Sequence, residues 1–435
     1  MNPLYLILFA VALPLQQGEP VLTLDEAIAI ASKDAFTVRT AQVAAKKADD
    51  LMEQTKSTQG LNVNLSGAVS AINRRDATTF GGPLPNLTKT IQLAATQQID
   101  ISGALRLAID ATKLNKVAAD LAVESERVNL RSFVRSKYFT VAQLQEMTKV
   151  ADADVNAAKE RLAKAKVRYE NDAIPKFDVI RFETDLRRAQ QVQLDAVQNV
   201  TLAKQDLNNL LGRPIDTPFA VETFAAMPKT DWTAEQITVA ALSKRPDILR
   251  ANTIVAALHK VRDREKKGNS PGLSVSAIHT ENLDPSFGQA RGQTVGTATI
   301  SVPLYDSGLT KNKVKSADRD IETAEIALEQ IRLGASLEVR SALTRLRSAK
   351  ESYEVALQGQ ELAAEGLRLA QLRYDEGAGI LVDVISAQAE LVRALTNVVN
   401  ARFQLWTAYS GLQKAVGVDN IEQSIENTTA PEVKK

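Results

Sequence analysis

Apolar and polar positions alternate in two stretches of the chain and predict strands there. From Leu61 to Ile72 the odd positions are mostly apolar and the even ones mostly polar or small, and the pattern returns from Thr90 to Ile101. A period of two residues indicates a strand with one apolar face. We predict a β-hairpin over 61–101 whose strands, roughly twelve residues each, suit a tilted transmembrane strand of about 9–11 residues. A half-buried hairpin of a water-soluble protein would alternate in the same way.

A long stretch without helix-breaking residues follows this hairpin. Between Gly103 and Pro175 there is neither glycine nor proline, so we predict one helix over 104–171. At about 1.5 Å per residue this helix would be roughly 100 Å long, which no compact water-soluble domain needs. A return helix is predicted over 176–211, and it ends at Gly212.

The same order of elements is predicted twice. A helix over Leu24–Ser57 precedes the first hairpin, and a helix over Ala234–Lys267, which contains Pro246, precedes a second one. The predictions for the rest of the second half are strands near Leu273–Thr280 and Thr294–Leu304, a long helix over 309–375 and a last helix over 381–412.

The last helix carries a strict seven-residue period. One column of residues is apolar and the column beside it is all alanine: Val384, Leu391, Val398, Leu405 and Leu412, with Ala387, Ala394, Ala401, Ala408 and Ala415. Such a period predicts left-handed coiled-coil packing, and alanines let a neighbouring backbone approach closely. An ordinary helix-bundle core would give a similar local pattern.

The chain is a tandem duplication. Arg168-Tyr169 and Arg373-Tyr374 are 205 positions apart, and the same offset separates Asp178 from Asp383. Each pair stands where two long helical runs meet, so each marks the turn of a helical hairpin. The predicted division is given by these ranges: 1–17 signal peptide; 18–212 first repeat, with β-hairpin 61–101 and tip turn 172–176; 213–232 connector; 233–417 second repeat, with β-hairpin 273–304 and tip turn 376–380; 418–435 polar tail.

The signal peptide is predicted from an apolar run between Leu4 and Leu15, which is too short to span a bilayer as a helix. No lysine or arginine precedes the run, so a disordered or membrane-touching terminus is the alternative.

Composition excludes several function classes. The chain has no cysteine, which excludes disulfides and thiolate sites, and its net charge of +1 gives no electrostatic reason to expect nucleic acid. Its two histidines, His259 and His279, lie in different predicted elements without an acidic cluster at ligand spacing. Gly377-Ala378-Gly379 follows a helix and is no nucleotide loop. We expect no catalytic residue, no metal, no cofactor and no enzyme activity.

Strand number connects this architecture to a function. One chain supplies four strands, which cannot close a barrel, and lipid does not tolerate an open sheet edge. Three copies would supply twelve strands, an even number within the range of outer-membrane barrels. The predicted fold is therefore mainly α with a β-barrel portion: duplicated long helical hairpins form a trimeric α-barrel, continued by a twelve-stranded transmembrane β-barrel. Such an assembly is a conduit.

The two tips and the sequence Pro303-Leu304-Tyr305-Asp306-Ser307-Gly308 resemble the TolC-type outer-membrane efflux protein family. The resemblance covers nearly the whole chain after the signal peptide. It implies a homotrimer in outer-membrane lipid of a bacterial cell, with a helical tube in the periplasm, closed at its inner end by coiled helices. It further implies docking to a periplasmic adaptor, or membrane fusion protein, and to an inner-membrane pump that supplies the energy.

The resemblance also assigns roles at the tips. Asp383 would form an acidic ring at the aperture that prefers cations, and Asp178 and Tyr374 would belong to a hydrogen-bond network that holds the aperture shut. Tip turn and adaptor docking would involve these residues: Arg168, Tyr169, Arg373, Gly377 and Gly379. Gly379 and Ser386 stand where some relatives have a basic and an acidic residue, which puts an arginine lock and a second acidic layer in doubt.

Plain helix chemistry offers an alternative for each tip residue. Asp178 and Asp383 would lie in first helical turns, where a carboxylate meets free N–H groups. Tyr169 and Tyr374 would pack between helices of a hairpin, and Gly377 and Gly379 would end a helix with positive φ. For the whole chain, a periplasmic coiled-coil adaptor or scaffold is the rival, although it should show one hairpin beside compact β domains.

Overall fold

The computed structural model describes residues 20–71, 78–79, 82–83, 87–222, 224, 227–228, 230–285 and 290–423. The predicted signal peptide and the tail beyond residue 423 lie outside these ranges. The elements, in chain order, are β1 (Val21–Leu22), α1 (Leu24–Asp34), α2 (Phe36–Ser57), β2 (Asn62–Ala71), β3 (Thr78–Thr79), β4 (Gly82–Pro83), β5 (Leu87–Ile99), α3 (Ala104–Glu170), α4 (Lys176–Leu210), β6 (Ala220–Val221), α5 (Ala234–Lys244), α6 (Pro246–Glu265), β7 (Gly272–Asn282), β8 (Gly292–Ser301), α7 (Leu309–Asp375) and α8 (Leu381–Val416).

These elements confirm the predicted order of helices and β-hairpins, but two predicted helices are interrupted. The helix expected over Leu24–Ser57 breaks at Ala35, whose backbone is extended (φ −60°, ψ 125°). The helix expected over Ala234–Lys267 breaks at Arg245, and α6 starts at Pro246. Proline lacks an N–H and clashes with the preceding turn, so it starts a helix far more readily than it continues one.

The chain divides into two compact units. A helical unit comprises Met1–Arg39, Glu126–Lys244 and Ala335–Lys435, and a strand unit comprises Thr40–Ser125 and Arg245–Gly334. Both 67-residue helices, α3 and α7, contribute residues to both units.

A four-stranded antiparallel sheet, in the order β2-β5-β7-β8, forms part of the strand unit. Pairing of β5 with β7, from Thr90 opposite Asn282 to Ile99 opposite Leu273, joins the two hairpins into one sheet. The outer strands β2 and β8 are exposed at every position. Among the described strands of one chain, β2 and β8 each pair on one side only, so the sheet has two open edges.

Asp306 sets the start of α7 in the strand unit. Its carboxylate accepts hydrogen bonds from the backbone N–H groups of Gly308 (2.9 Å) and Thr310 (2.7 Å). These bonds satisfy donors that have no partner within the helix. Hydrogen bonds from Thr310, side chain first and then backbone, lower the pKa of Asp306 to about 2.

Tyr138 fixes the short parallel pair of β1 and β6 in the helical unit. Its side chain is fully buried, its hydroxyl donates to Leu22 O (2.5 Å), and it accepts from the N–H of Glu222 (3.0 Å). Burial raises the pKa of Tyr138 to about 12, and the backbone hydrogen bond from Glu222 opposes the shift.

Packing of α8 follows the predicted heptad. Within the first column Val384, Val398, Leu405 and Leu412 are buried, and no residue of either column is exposed. Leu405, Leu412 and Ala415 belong to an apolar core shared with α5 and α7. Among the described residues, none of the helices has the length and apolar character that a bilayer-spanning helix requires.

Candidate functional site

The second tip turn ends α7 with a left-handed glycine. Gly377 has φ 76°, its N–H donates to Tyr374 O (3.2 Å), and the N–H of Ala378 donates to Arg373 O (2.8 Å). This is the hydrogen-bond pattern of a Schellman helix end. The positive φ expected at Gly377 is therefore found.

Gly379 does not have the positive φ that we expected, because φ is positive at Gly377 and not at Gly379. Its constraint is space: a Cβ atom there would lie 3.1 Å from Arg373 Cβ and 3.2 Å from Tyr374 N. A side chain at this position would make the last turn of α7 shift by a few tenths of an ångström, so glycine allows a close approach here.

The first tip turn repeats this geometry without a glycine. The N–H of Asp172 donates to Tyr169 O (2.9 Å), and that of Ala173 donates to Arg168 O (2.8 Å). Asp172 itself has φ 57°. Aspartate tolerates this region better than most residues, but not as well as glycine.

Asp178 and Asp383 lie in the first turns of α4 and α8 as expected. Their backbone N–H groups donate to Pro175 O (3.0 Å) and Ile380 O (3.1 Å). Asp383 is exposed and Asp178 is half-buried. The carboxylate of Asp383 is therefore available at the surface of one chain.

Tyr374 lies between the two tips. Its hydroxyl is buried and has no hydrogen-bond partner among the described residues, so no hydrogen bond joins it to Asp178 within one chain. Burial, and secondly the charge of Asp178, raise the pKa of Tyr374, whereas Arg168 opposes the shift. The Arg168 guanidinium lies 4.9 Å from the centre of the Tyr374 ring.

Arg168 also forms an ion pair with Asp375 at 3.2 Å, with side-chain exposures of 32% and 73%. An exposed pair of this kind contributes about 0–1 kcal/mol and is screened by salt. Tyr169 is 42% exposed, so its ring is not enclosed between helices of one chain. The side chain of Arg373 is exposed as well.

An apolar cluster joins the two tips. It contains buried residues from α3, the first turn, α4 and α8: Leu162, Ala165, Ile174, Phe182 and Leu381. Ile174 occupies the position in the first repeat that Gly379 occupies in the second, so only the first turn inserts a large side chain into this cluster.

A polar cluster farther along α3 was not predicted from the sequence. The Gln388 amide donates to Asp154 Oδ1 (2.9 Å), and Arg161 Nη2 lies 2.9 Å from Asp185 Oδ2 and 3.9 Å from Asp154 Oδ1. The side chain of Arg188 is exposed, and its Nη2 lies 2.7 Å from Asp185 Oδ1. The side chains of Asp154, Arg161 and Asp185 are 14%, 11% and 5% exposed, so water screens this cluster much less than it screens Arg168 and Asp375.

One groove contains both the contacts of Arg168 at the tips and the polar cluster around Arg161. A cavity of about 820 Å³ is lined by α3, α7 and α8, including Arg161, Arg168, Tyr374 and Gln388. In the part of the chain that the structure describes, no three side chains among His, Cys, Asp and Glu lie close enough to hold a metal ion.

Comparison of the sequence with known proteins identifies related chains. The family model described as "Outer membrane efflux protein" matches residues 28–213 and 238–418. Protein CyaE of Bordetella pertussis is 24% identical over 322 residues, which cover 73% of this chain and 68% of that protein. Nodulation protein T of Rhizobium leguminosarum bv. viciae is 23% identical over 405 residues, covering 88% and 83%.

A solved structure shares the fold. The outer membrane protein VceC of Vibrio cholerae superimposes with a TM-score of 0.75 at 19% identity, covering 91% of this chain and 96% of that one.

Proposed function

Because this chain belongs to the outer membrane efflux protein family, we propose that it is the passive exit duct of a tripartite efflux or secretion system. The chain is an outer-membrane channel component. The observation that carries the finer proposal is the four-stranded sheet with two open edges. A sheet in lipid must be closed, since unpaired backbone groups cannot be solvated there.

Closure by three copies completes the duct. Strand β8 of one chain would pair with β2 of the next, so that three chains form a twelve-stranded barrel, and their helical hairpins form an α-barrel. The exposure of β2 and β8 at every position supports this pairing. A trimer has no remaining sheet edge.

The helical tips are the proposed gate. Asp383, exposed at the start of α8, would form the ring that lines the aperture, with Asp178 and Tyr374 behind it. An adaptor would dock on the turn residues Arg168, Tyr169, Arg373, Gly377 and Gly379.

Energy for transport would come from an inner-membrane pump, reached through a periplasmic adaptor. The chain itself would need no catalytic residue and no cofactor. A periplasmic coiled-coil adaptor or scaffold, the rival prediction, does not account for two equivalent hairpins that alternate with exposed strands.

Oligomeric mass tests the proposal. The full chain is extracted from outer membranes in mild detergent and its mass is measured by light scattering, before and after heating. A trimer that dissociates only on heating is expected. A protein recovered as a water-soluble monomer would contradict the duct and favour the scaffold.

A further inference from the structure

The apolar face of the sheet continues to the point where β8 gives way to α7. Ile99, Leu273 and Ile300 lie side by side on three neighbouring strands and form the last apolar row of that face. Beyond this row, Leu304 and Tyr305 are 93% and 86% exposed. Two large side chains are therefore presented outward at the junction of strand and helix.

Lysines follow this apolar surface directly. Lys311, Lys313 and Lys315 lie within the first seven residues of α7, and Lys267 lies two residues beyond the end of α6. All four side chains are exposed, and none of them pairs with an acidic side chain of the described chain. We call these four lysines the basic patch.

The end of α6 and the start of α7 form one surface. The hydroxyl of Thr310 donates a hydrogen bond to Asn269 Oδ1 (2.9 Å). Farther along the two helices, Arg262 Nη1 lies 3.8 Å from Asp318 Oδ1. The helices therefore run side by side at the junction, and the basic patch belongs to both of them.

Positive charge is concentrated at this junction. Residues 260–268 and 306–320 contain nine cationic and five acidic residues, which gives a net charge of +4, whereas the whole chain carries +1. Two of the acids are already paired: Asp263 contacts Arg262 and Lys266, and Glu265 contacts Arg264. The chain therefore does not neutralise the basic patch locally.

Helix stability does not explain a lysine at the start of α7. The helices α1, α4, α5, α6 and α8 each carry an acidic residue in the first turn, which the helix dipole favours. In α7 the first turn has no acidic residue, and Lys311 is its third residue. Arg106, 205 positions earlier, is the third residue of α3. Both repeats place a cation where the dipole disfavours it, which indicates a contact outside the helix.

We propose that the basic patch binds the headgroup phosphates of anionic phospholipids, while Leu304 and Tyr305 insert into the lipid beside them. This inference rests on the proposed duct, whose barrel places the strands in the outer membrane. Clusters of lysine recruit anionic lipid, and tyrosine is enriched at the level of the headgroups. On the periplasmic side of the barrel, the lipid contacted is that of the inner leaflet.

The dimensions of a bilayer fit this arrangement. The headgroup layer is about 5–8 Å thick on each side of the hydrocarbon core. The exposed Leu309 starts α7, and the helix rises about 3 Å from there to Lys311 and about 9 Å to Lys315. With Leu309 at the edge of the hydrocarbon core, the lysines of α7 reach the layer that contains the phosphates.

Calorimetric titration of the detergent-solubilised full chain with short-chain phosphatidylglycerol tests the proposal. Wild type should bind this lipid more tightly than phosphatidylcholine with the same acyl chains, and added salt should weaken the binding. Lys311→Gln should weaken it about fivefold, equivalent to about 1 kcal/mol. Lys311→Arg keeps the charge and should stay within about twofold of wild type.

A matched control separates the basic patch from charge in general. Replacing all four lysines of the patch by glutamine should weaken binding about hundredfold. The same replacement of four exposed lysines of the helical unit should leave the affinity unchanged: Lys159, Lys164, Lys166 and Lys176. An equal loss of affinity in both variants would overturn the proposal.

Thermal unfolding distinguishes lipid from a neighbouring chain as the partner of the lysines. The Tm of Lys311→Gln in detergent without lipid should not fall below that of wild type, since the helix dipole disfavours the lysine. A lower Tm with unchanged affinity for phosphatidylglycerol would assign the lysines to contact between chains and overturn the proposal.

Wild type alone keeps the test valid if the four-lysine variant fails to assemble. Equal affinities for phosphatidylglycerol and phosphatidylcholine would contradict the proposal, as would displacement of phosphatidylglycerol by inorganic phosphate at equal concentration. If wild type conducts in planar bilayers but does not prefer the anionic lipid, this inference fails alone. If wild type forms no channel, the proposed duct fails with it.

Discussion

Asp172 and Gly377, 205 positions apart, take the same left-handed backbone conformation, with φ of 57° and 76°. Both follow the last turn of a 67-residue helix, and in both turns the next residue donates a 2.8 Å hydrogen bond to the helix. The duplicated tip is thus defined by backbone geometry rather than by a shared residue.

Gly377→Ala should destabilise the protein because a Cβ at positive φ is strained by roughly 1 kcal/mol. The control is Gly366→Ala, within α7, where a Cβ meets open space and alanine should stabilise the helix by about 0.5–1 kcal/mol. Denaturant midpoints of the detergent-solubilised protein should move in opposite directions. A shift in the same direction would refute the assignment of the turn.

Asp306 should make stability depend on pH in acid. Its pKa is lowered from 3.8 to about 2, so its contribution is complete above pH 3.8 and is lost as pH falls toward 2. Asp306→Asn should unfold with a smaller pH dependence between pH 5 and pH 2 than wild type. Thr310→Ala, which removes the side chain that lowers the pKa of Asp306 most, should give an intermediate slope. Identical slopes for all three proteins would exclude this role.

Tyr138→Phe should cost about 1–3 kcal/mol, because Leu22 O and the N–H of Glu222 would lose a buried partner. The pKa of Tyr138 rises on folding from 10.0 to about 12. Its contribution is therefore present below pH 10 and lost as pH rises toward 12. The control is Tyr305→Phe, since Tyr305 is 86% exposed, and it should leave the unfolding midpoint unchanged. A loss of stability in this control comparable to that of Tyr138→Phe would argue against the buried hydroxyl as the cause.

Asp383→Asn should reduce the preference of the channel for cations. Three carboxylates near one axis attract cations, and the substitution removes their charge while keeping their shape. Reversal potentials under a salt gradient measure the effect. The control is Glu390→Gln, an exposed acidic position farther along α8, which should retain the wild-type selectivity. An unchanged reversal potential in Asp383→Asn would remove Asp383 from the aperture.

Periodicity predicted the helices because each buries one face. It predicted the strands because apolar and polar residues alternate along them, although β2 and β8 are exposed at every position within one chain. The break before Pro246 was not predicted, although the proline signals it, since proline rarely continues a helix. The break at Ala35 carried no such residue. The pattern of apolar and polar positions therefore does not predict this break.

A local sequence pattern could not predict which side chains of the two helical hairpins contact each other. Asp154 and Arg161 are seven residues apart on one helix face, but Gln388 is 234 positions from Asp154. A comparison of the repeats offered one clue, because Gly359 and Gly366 replace the acid and the base. Positive φ was expected at Gly379 and was not found. Glycine allows both positive φ and a close approach of the backbone, and the sequence does not distinguish these two uses.

Conductance of the purified wild-type protein tests the central claim most directly. In planar bilayers the account predicts discrete, cation-preferring channel steps from a trimeric preparation, in the absence of any pump or energy source. A preparation that inserts no channels, and that remains monomeric in detergent, would contradict the account.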